Sequence, residues 1–180
     1  MKPVKCLIFP AATFLVLSAF IRVYPQANVL WHAIHKGPVE QGFFPVKMAV
    51  DGNGNVYVTG TSISGSGGDL TAYLDITTVK YNSAGVLRWQ RIAGNQGYNE
   101  DDGTCIEIDD ENYVYVFGYS YDTIAGKSTG LLLKYNPEGE LLWRNRISDY
   151  NTSADAYRNF RQIVFDSEKN IYVFWNSYAY

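Results

Sequence analysis

Apolar and polar positions alternate through Val46, Lys47, Met48, Ala49 and Val50, the period-two signature of a strand. The next five residues, Asp51-Gly-Asn-Gly-Asn55, suit a tight turn: glycine reaches positive φ, and Asp and Asn bond the local backbone. Val56–Thr61 returns as a second strand with β-formers on both faces, the pattern of a strand covered on each side. A Gly/Ser-rich loop follows over Ile63–Asp69, and the third strand lies within Leu70–Tyr81. Asn82-Ser-Ala-Gly85 turns the chain into a fourth strand, Val86–Ile92. The plan is then written again. Thr104–Asp109, Tyr113–Tyr119, Gly130–Tyr135 and Glu140–Ile147 are its strands, with turns at Asp110–Asn112 and Asn136-Pro-Glu-Gly139. A third copy opens with Arg161–Asp166, turns through Ser167–Asn170 and continues as Ile171–Trp175.

The copies keep register. Asp51 and Asp109 are 58 positions apart, Asp109 and Asp166 are 57, and Trp89 and Trp143 are 54. The shorter loop before the second unit's third strand accounts for the smaller spacing. Trp31 and Ile34 repeat the spacing of Trp89 and Ile92, so residues 29–35 are expected to be the outer strand of a preceding unit. Trp175 departs from the pattern, since its place is held by Gly60 and Gly118 in the first two copies. Repeats of this period fix the architecture before any single residue is interpreted. Four short strands per unit, with hairpin turns and almost no helix signal, fit a β-propeller blade, which needs neighbours to cover its faces. A β-sandwich and a β-solenoid are the alternatives, and the clear hairpins weigh against the solenoid.

Asp51–Gly60 with Lys80, Tyr81, Asn82, Gly85 and Trp89 forms one set of matching positions; Asp109–Gly118 with Lys134, Tyr135, Asn136, Gly139 and Trp143 forms the other. These motifs resemble the bacterial β-propeller repeat family, often described as seven-bladed and found in cell-envelope and secreted proteins. The resemblance covers most of residues 29–175. It implies an all-β, incomplete β-propeller over residues 28–180: an outer strand at 29–35, blades at 45–93 and 103–148, and a half blade at 160–175. Closed propellers usually hold four to eight blades. The chain is therefore read as a piece of a longer propeller, with a ring closed by self-association and an open arc as the other two readings. As a guide to function the resemblance says little, because propellers host many unrelated activities.

Composition changes this picture only at the edges. Apolar residues are 47% of the 180 and charged residues 18%, which places the chain among folded proteins. Fifteen tyrosines and nine phenylalanines add to the strand reading. A net charge of −3 gives no footing for a nucleic-acid partner, whose binding rests on clustered Lys and Arg. Lys2 and Lys5 precede an apolar run from Cys6 to Ile21 that Arg22 closes, so residues 1–27 read as a secretory signal. An N-terminal membrane anchor is the alternative reading, and membrane contact is expected only if that segment is retained. The expected location is secreted, periplasmic or the outer cell envelope. Removing the segment would leave Cys105 as the single cysteine, so packing alone must hold the mature chain together.

Each candidate site has a plain structural counterpart. Asp51, Asn53 and Asn55 alternate as calcium ligands do; the second unit keeps only the first of these positions, as Asp109, with Asp110 beside it. Val56 stands where the helix–loop–helix calcium loop requires glycine, so these five residues are weak metal candidates and are read as turn formers. Asp101, Asp102, Glu107, Asp109, Asp110 and Glu111 make the most acidic stretch, where carboxylates could hold a cation or form an acid/base pair, but Glu107 flanks Ile106 and Ile108 and is expected to face away from them. His32 and His35 would face opposite sides of a strand and so could not share a metal. Cys105 lacks a partner in sequence and reads as a small buried hydrophobe. Trp31, Trp89 and Trp143 read as packing between blades, and Lys80 and Lys134 as stems laid over apolar neighbours.

No cofactor motif is present. The reading is a non-enzymatic structural or protein-interaction module, with a protein or carbohydrate partner or a second copy of the chain. An enzyme or ligand-binding propeller drawing on further blades, and a calcium-stabilised adhesive domain, are the alternatives.

Overall fold

The computed structural model describes residues 29–37, 42–63, 74–94, 99–122, 127–150 and 161–175. The basic and apolar N-terminal segment, 1–27, and most of the Gly/Ser-rich loop lie outside them. The chain divides into two units, Met1–Leu30 and Trp31–Tyr180. Of the first, only Val29 and Leu30 are described, both exposed and outside any strand.

The architecture is all-β, with no helix among the described residues. Strands β1 (Phe43–Val50), β2 (Val56–Ile63), β3 (Leu74–Tyr81) and β4 (Leu87–Ala93) form an antiparallel meander. Strands β5 (Asn99–Ile108), β6 (Val114–Asp122), β7 (Lys127–Tyr135) and β8 (Leu141–Tyr150) form a second one in the same order. A single parallel pair, Leu74 with Glu100, links the two into one eight-stranded sheet. The hairpin β9 (Arg161–Phe165) and β10 (Ile171–Trp175) is a separate two-stranded sheet.

The repeat extends to the irregularities. The register shifts between Pro45 and Lys47 in the first meander and between Gly103 and Cys105 in the second, at matching positions. It shifts again between Lys80 and Tyr81 and between Lys134 and Tyr135. Gly60 and Gly118 lie across from the first pair of bulges, where the bulged strand pushes a carbonyl toward them. A Cβ on Gly60 would stand 2.0 Å from the Phe44 oxygen, and one on Gly118 2.2 Å from the Asp102 oxygen. At the position of these glycines in the hairpin, Trp175 pairs directly with Arg161, with no register shift among the described residues.

Two expectations need correction. Residues 29–35 are not a strand: 29–37 have no ladder partner, Trp31 docks by its side chain alone, and Ile34 is exposed. The second meander also starts earlier and ends later than its alternation predicts, at Asn99 and Tyr150 rather than at 103 and 148. The extra residues Asn99–Gly103 are polar, so they carry no period-two signal, yet β5 pairs with β6 from Asn99↔Asp122 onward.

Candidate interaction surfaces

One turn is used five times. Asp51, Asn82, Asp109, Asn136 and Asp166 each open it; each carbonyl accepts the N–H three residues on, and each N–H donates to the carbonyl four residues on. The fourth residue takes positive φ in every case: Gly54 (77°), Gly85 (78°), Asn112 (65°), Gly139 (83°) and Lys169 (65°). This is a type I turn closed by a left-handed residue, which suits a twisted hairpin. The opening Asp or Asn is required because its Oδ1 accepts the N–H groups two and four residues on, at 2.7–3.1 Å.

The aspartates do one thing more. Asp51, Asp109 and Asp166 each turn Oδ2 toward the tyrosine six residues on, accepting from Tyr57 (3.0 Å), Tyr115 (3.1 Å) and Tyr172 (3.0 Å). Burial alone would raise the Asp51 pKa, but donors from Asn55, Tyr57 and Asn53 outweigh it and hold it below the usual 3.8. Tyr57 and Tyr115 are pushed up by burial and by the carboxylate each one faces. The signal for these tyrosines was present in the sequence as an Asp–x5–Tyr spacing in all three copies, yet the sequence reading missed it. With four donors on its two oxygens, the Asp51 carboxylate is committed to the turn. Asp110 is exposed and lies 3.5 Å from the Lys169 ammonium, which also bonds Glu111. Among the described residues no group of three His, Cys, Asp or Glu side chains is placed to hold a metal ion.

The tryptophans dock on the Asn turns. Trp89 donates Nε1 to the Pro137 carbonyl (3.0 Å) and lies so close over Gly139 that a Cβ there would come within 2.8 Å of its ring. Lys80 reaches the same carbonyl at 2.9 Å while crossing the Tyr57 ring, and Arg91 Nε bonds the Gly139 carbonyl at 2.5 Å. Trp31 repeats the arrangement on the first meander: Nε1 to the Ser83 carbonyl at 3.1 Å, with its ring over Gly85. Tyr81 and Tyr135 sit under these indoles, at ring distances of 5.7 and 6.2 Å; burial lifts the Tyr135 pKa to about 12. Trp143 is half-buried against Tyr115, and Lys134 lies over Tyr113 and Tyr115.

The remaining candidates resolve into scaffold contacts. Asp102 accepts from Thr61 of β2 and Tyr119 of β6, tying the two meanders together beside buried Asp101. Glu107 is half-buried, and burial raises its pKa against the pull of Lys47. His35 lies beside Tyr81 (Nδ1 to the hydroxyl, 3.3 Å) and edge-on to Phe43, whereas His32 is exposed. Burial lowers the His35 pKa, and the nearby Gln90 side chain pulls the other way. Cys105 is buried, which raises its thiol pKa.

The apolar faces divide by cover. Tyr57, Ile76 and Trp89 of the first meander bury against Ile106, Val116 and Leu133 of the second. Tyr115 and Phe117 of the second bury against Ile163, with Phe165, Ile171 and Val173 of the hairpin beside them. At the front of the first meander, Val46, Met48 and Val50 remain 58–59% exposed. At the back of the hairpin, Val164, Tyr172 and Phe174 remain 44%, 55% and 67% exposed. A cavity of about 450 Å³ lies on the front face between Trp31, His35, Met48, Val58 and Tyr81. Another, of about 650 Å³, lies between Leu132, Trp143, Asn145, Ile171 and Val173. Contiguous exposed apolar faces of this size commonly mark interaction surfaces.

Against known proteins, residues 43–68 match the family model of the β-propeller repeat, a span that takes in β1, the Asp51 turn and β2. No curated protein matches the chain.

Proposed function

With a β-propeller repeat at residues 43–68 as the premise, we propose that the two meanders are complete propeller blades and that β9–β10 is the inner half of a third. The segment carrying Trp31 stands in for the outer edge of a preceding blade. The module is structural and interaction-forming, not catalytic, and it works in an exported or cell-envelope protein.

One observation carries this reading. The polar residues that repeat (Asp51, Asp109, Lys80, Asn82, Asn136) are used up in turns and blade-to-blade bonds, while apolar positions that are buried between units are exposed at the two ends. Association needs an uncovered apolar face, and both ends of the described chain present one. The basic start and apolar run of residues 1–27 support export.

Two experiments test the reading. Residues 1–42 fused to a phosphatase that is active only after export should give activity, and a silent fusion would remove the exported context. Cross-linking in the native cell should give discrete adducts with the wild-type chain that disappear in a Met48→Lys, Val50→Lys variant. Identical adducts from both chains, or none from either, would count against an interaction role for that face.

A further inference from the structure

We infer that the open front and back of this chain are the two halves of one interface and that its partner is a second copy, stacked head to tail. The inference rests on the propeller reading, because it takes the contacts between successive units as a template. That template appears twice within the chain. In the first instance Tyr57, whose hydroxyl is bonded to Asp51, faces the second meander and is 0% exposed. In the second, Tyr115, bonded to Asp109, faces the hairpin, meets the Phe165 ring at 4.7 Å with the planes tilted by 58° and is 5% exposed.

Tyr172 is the third member. It is bonded to Asp166 in the same geometry and held in the same orientation by the same turn, but it is 55% exposed, and no unit among the described residues covers it. The surface that would cover it is also on this chain. Phe165, which receives Tyr115, corresponds through the repeat to Ile108 and to Val50, and Ile163 corresponds to Ile106 and to Met48. Met48 and Val50 are 59% and 58% exposed, whereas Ile106 and Ile163 are at most 1%. Among the described residues, the front is therefore a receiving face without an inserting one, and the back an inserting face without a receiving one. A front-to-back contact between copies reproduces an interface the chain already forms twice, with Tyr172 of one copy against Val50 of the other. Such a contact is heterologous, so it propagates into a ring or a filament rather than stopping as a symmetric pair.

The test uses the purified full-length chain and two variants, each altered at exposed positions on one end. The front variant is Met48→Glu with Val50→Glu; the back variant is Tyr172→Glu with Phe174→Glu. Light scattering should show a wild-type mass that rises with concentration to about twice the monomer or more, while each variant alone stays monomeric with unchanged circular dichroism. A mixture of the two variants should return as a dimer and go no further, because each still carries one intact half. A Val50→Cys chain mixed with a Tyr172→Cys chain should form the mixed disulfide in preference to either homodimer. A monomeric wild type at every concentration, or a mixture that stays monomeric, overturns the inference and leaves the propeller reading standing. The propeller reading fails separately, if Trp89→Ala leaves global stability unchanged.

Discussion

Asp51 and Asp166 hold the same turn with the same four donors: two backbone N–H groups, an asparagine amide and a tyrosine hydroxyl six residues on. The tyrosine beside Asp51 is sealed by the second meander, while the one beside Asp166 stands in solvent. Local chemistry is therefore set by a short stretch of sequence, and its worth is set by what covers it. In water the donors and acceptors of the Asp166 turn exchange with solvent at little net cost. Under a neighbouring unit, a lost partner leaves a polar group stranded. The same contrast runs through the tryptophans, Trp89 docked on the Asn136 turn and Trp143 packed on Tyr115 beside a cavity.

The sharpest way to break this comparison is to remove the tryptophans in turn. Trp89→Ala should cost about 3–5 kcal/mol in chemical denaturation, since it empties a buried contact between units. Trp143→Ala should cost about half as much or less, given its greater exposure. Equal losses would mean that cover by the next unit is not what matters. Next in size, Asp51→Ala should cost about 2–3 kcal/mol, because it strands the buried Tyr57 hydroxyl and frees the turn's donors. Asp166→Ala should leave the global melting temperature unchanged. Calcium should not move the melting temperature of the wild type, since the Asp51 carboxylate is already saturated with donors; a rise would restore it as a metal ligand.

Gly118→Ala tests the bulge and should cost about 1–3 kcal/mol, because the new Cβ meets the Asp102 carbonyl and backbone must shift. Trp175→Gly, at the unbulged equivalent, should not stabilise the hairpin. The smallest effect is in the acid limb of the pH–stability curve. The Asp51 pKa is lowered on folding, so its contribution is complete above the unfolded value of 3.8 and is lost as pH falls through the folded value. Asp51→Asn should be less stable at neutral pH and fall less steeply below about pH 4. An acid limb that keeps its steepness would place the titration elsewhere.

Much of the fold was legible because period, alternation and turn chemistry agree at each unit. Asp51, Asp109 and Asp166 announce the same turn, and Val–Tyr–Val or Ile–Tyr–Val after each announces the returning strand. The strand expected at 29–35 was misread for a definable reason: Trp31 reproduces the docking half of the pattern, and a docking side chain does not require a ladder. The early start of β5 was hidden because Asn99–Gly103 is polar on both faces, and its order depends on Asp102 reaching Thr61 and Tyr119, contacts made across long sequence separations. The open faces were hidden for another reason. Met48 and Ile106 look alike in sequence, and only the placement of units shows which of them is covered.

Site-resolved hydrogen exchange at dilute concentration tests the central claim most directly. The amides of Asn53, Asn55 and Tyr57 should exchange only through global unfolding, whereas those of Glu168, Asn170 and Tyr172 should exchange through local opening, at least about a hundredfold faster. Comparable protection in the two turns would contradict the account, because it would mean that the turn chemistry itself, and not the neighbouring unit, fixes their stability.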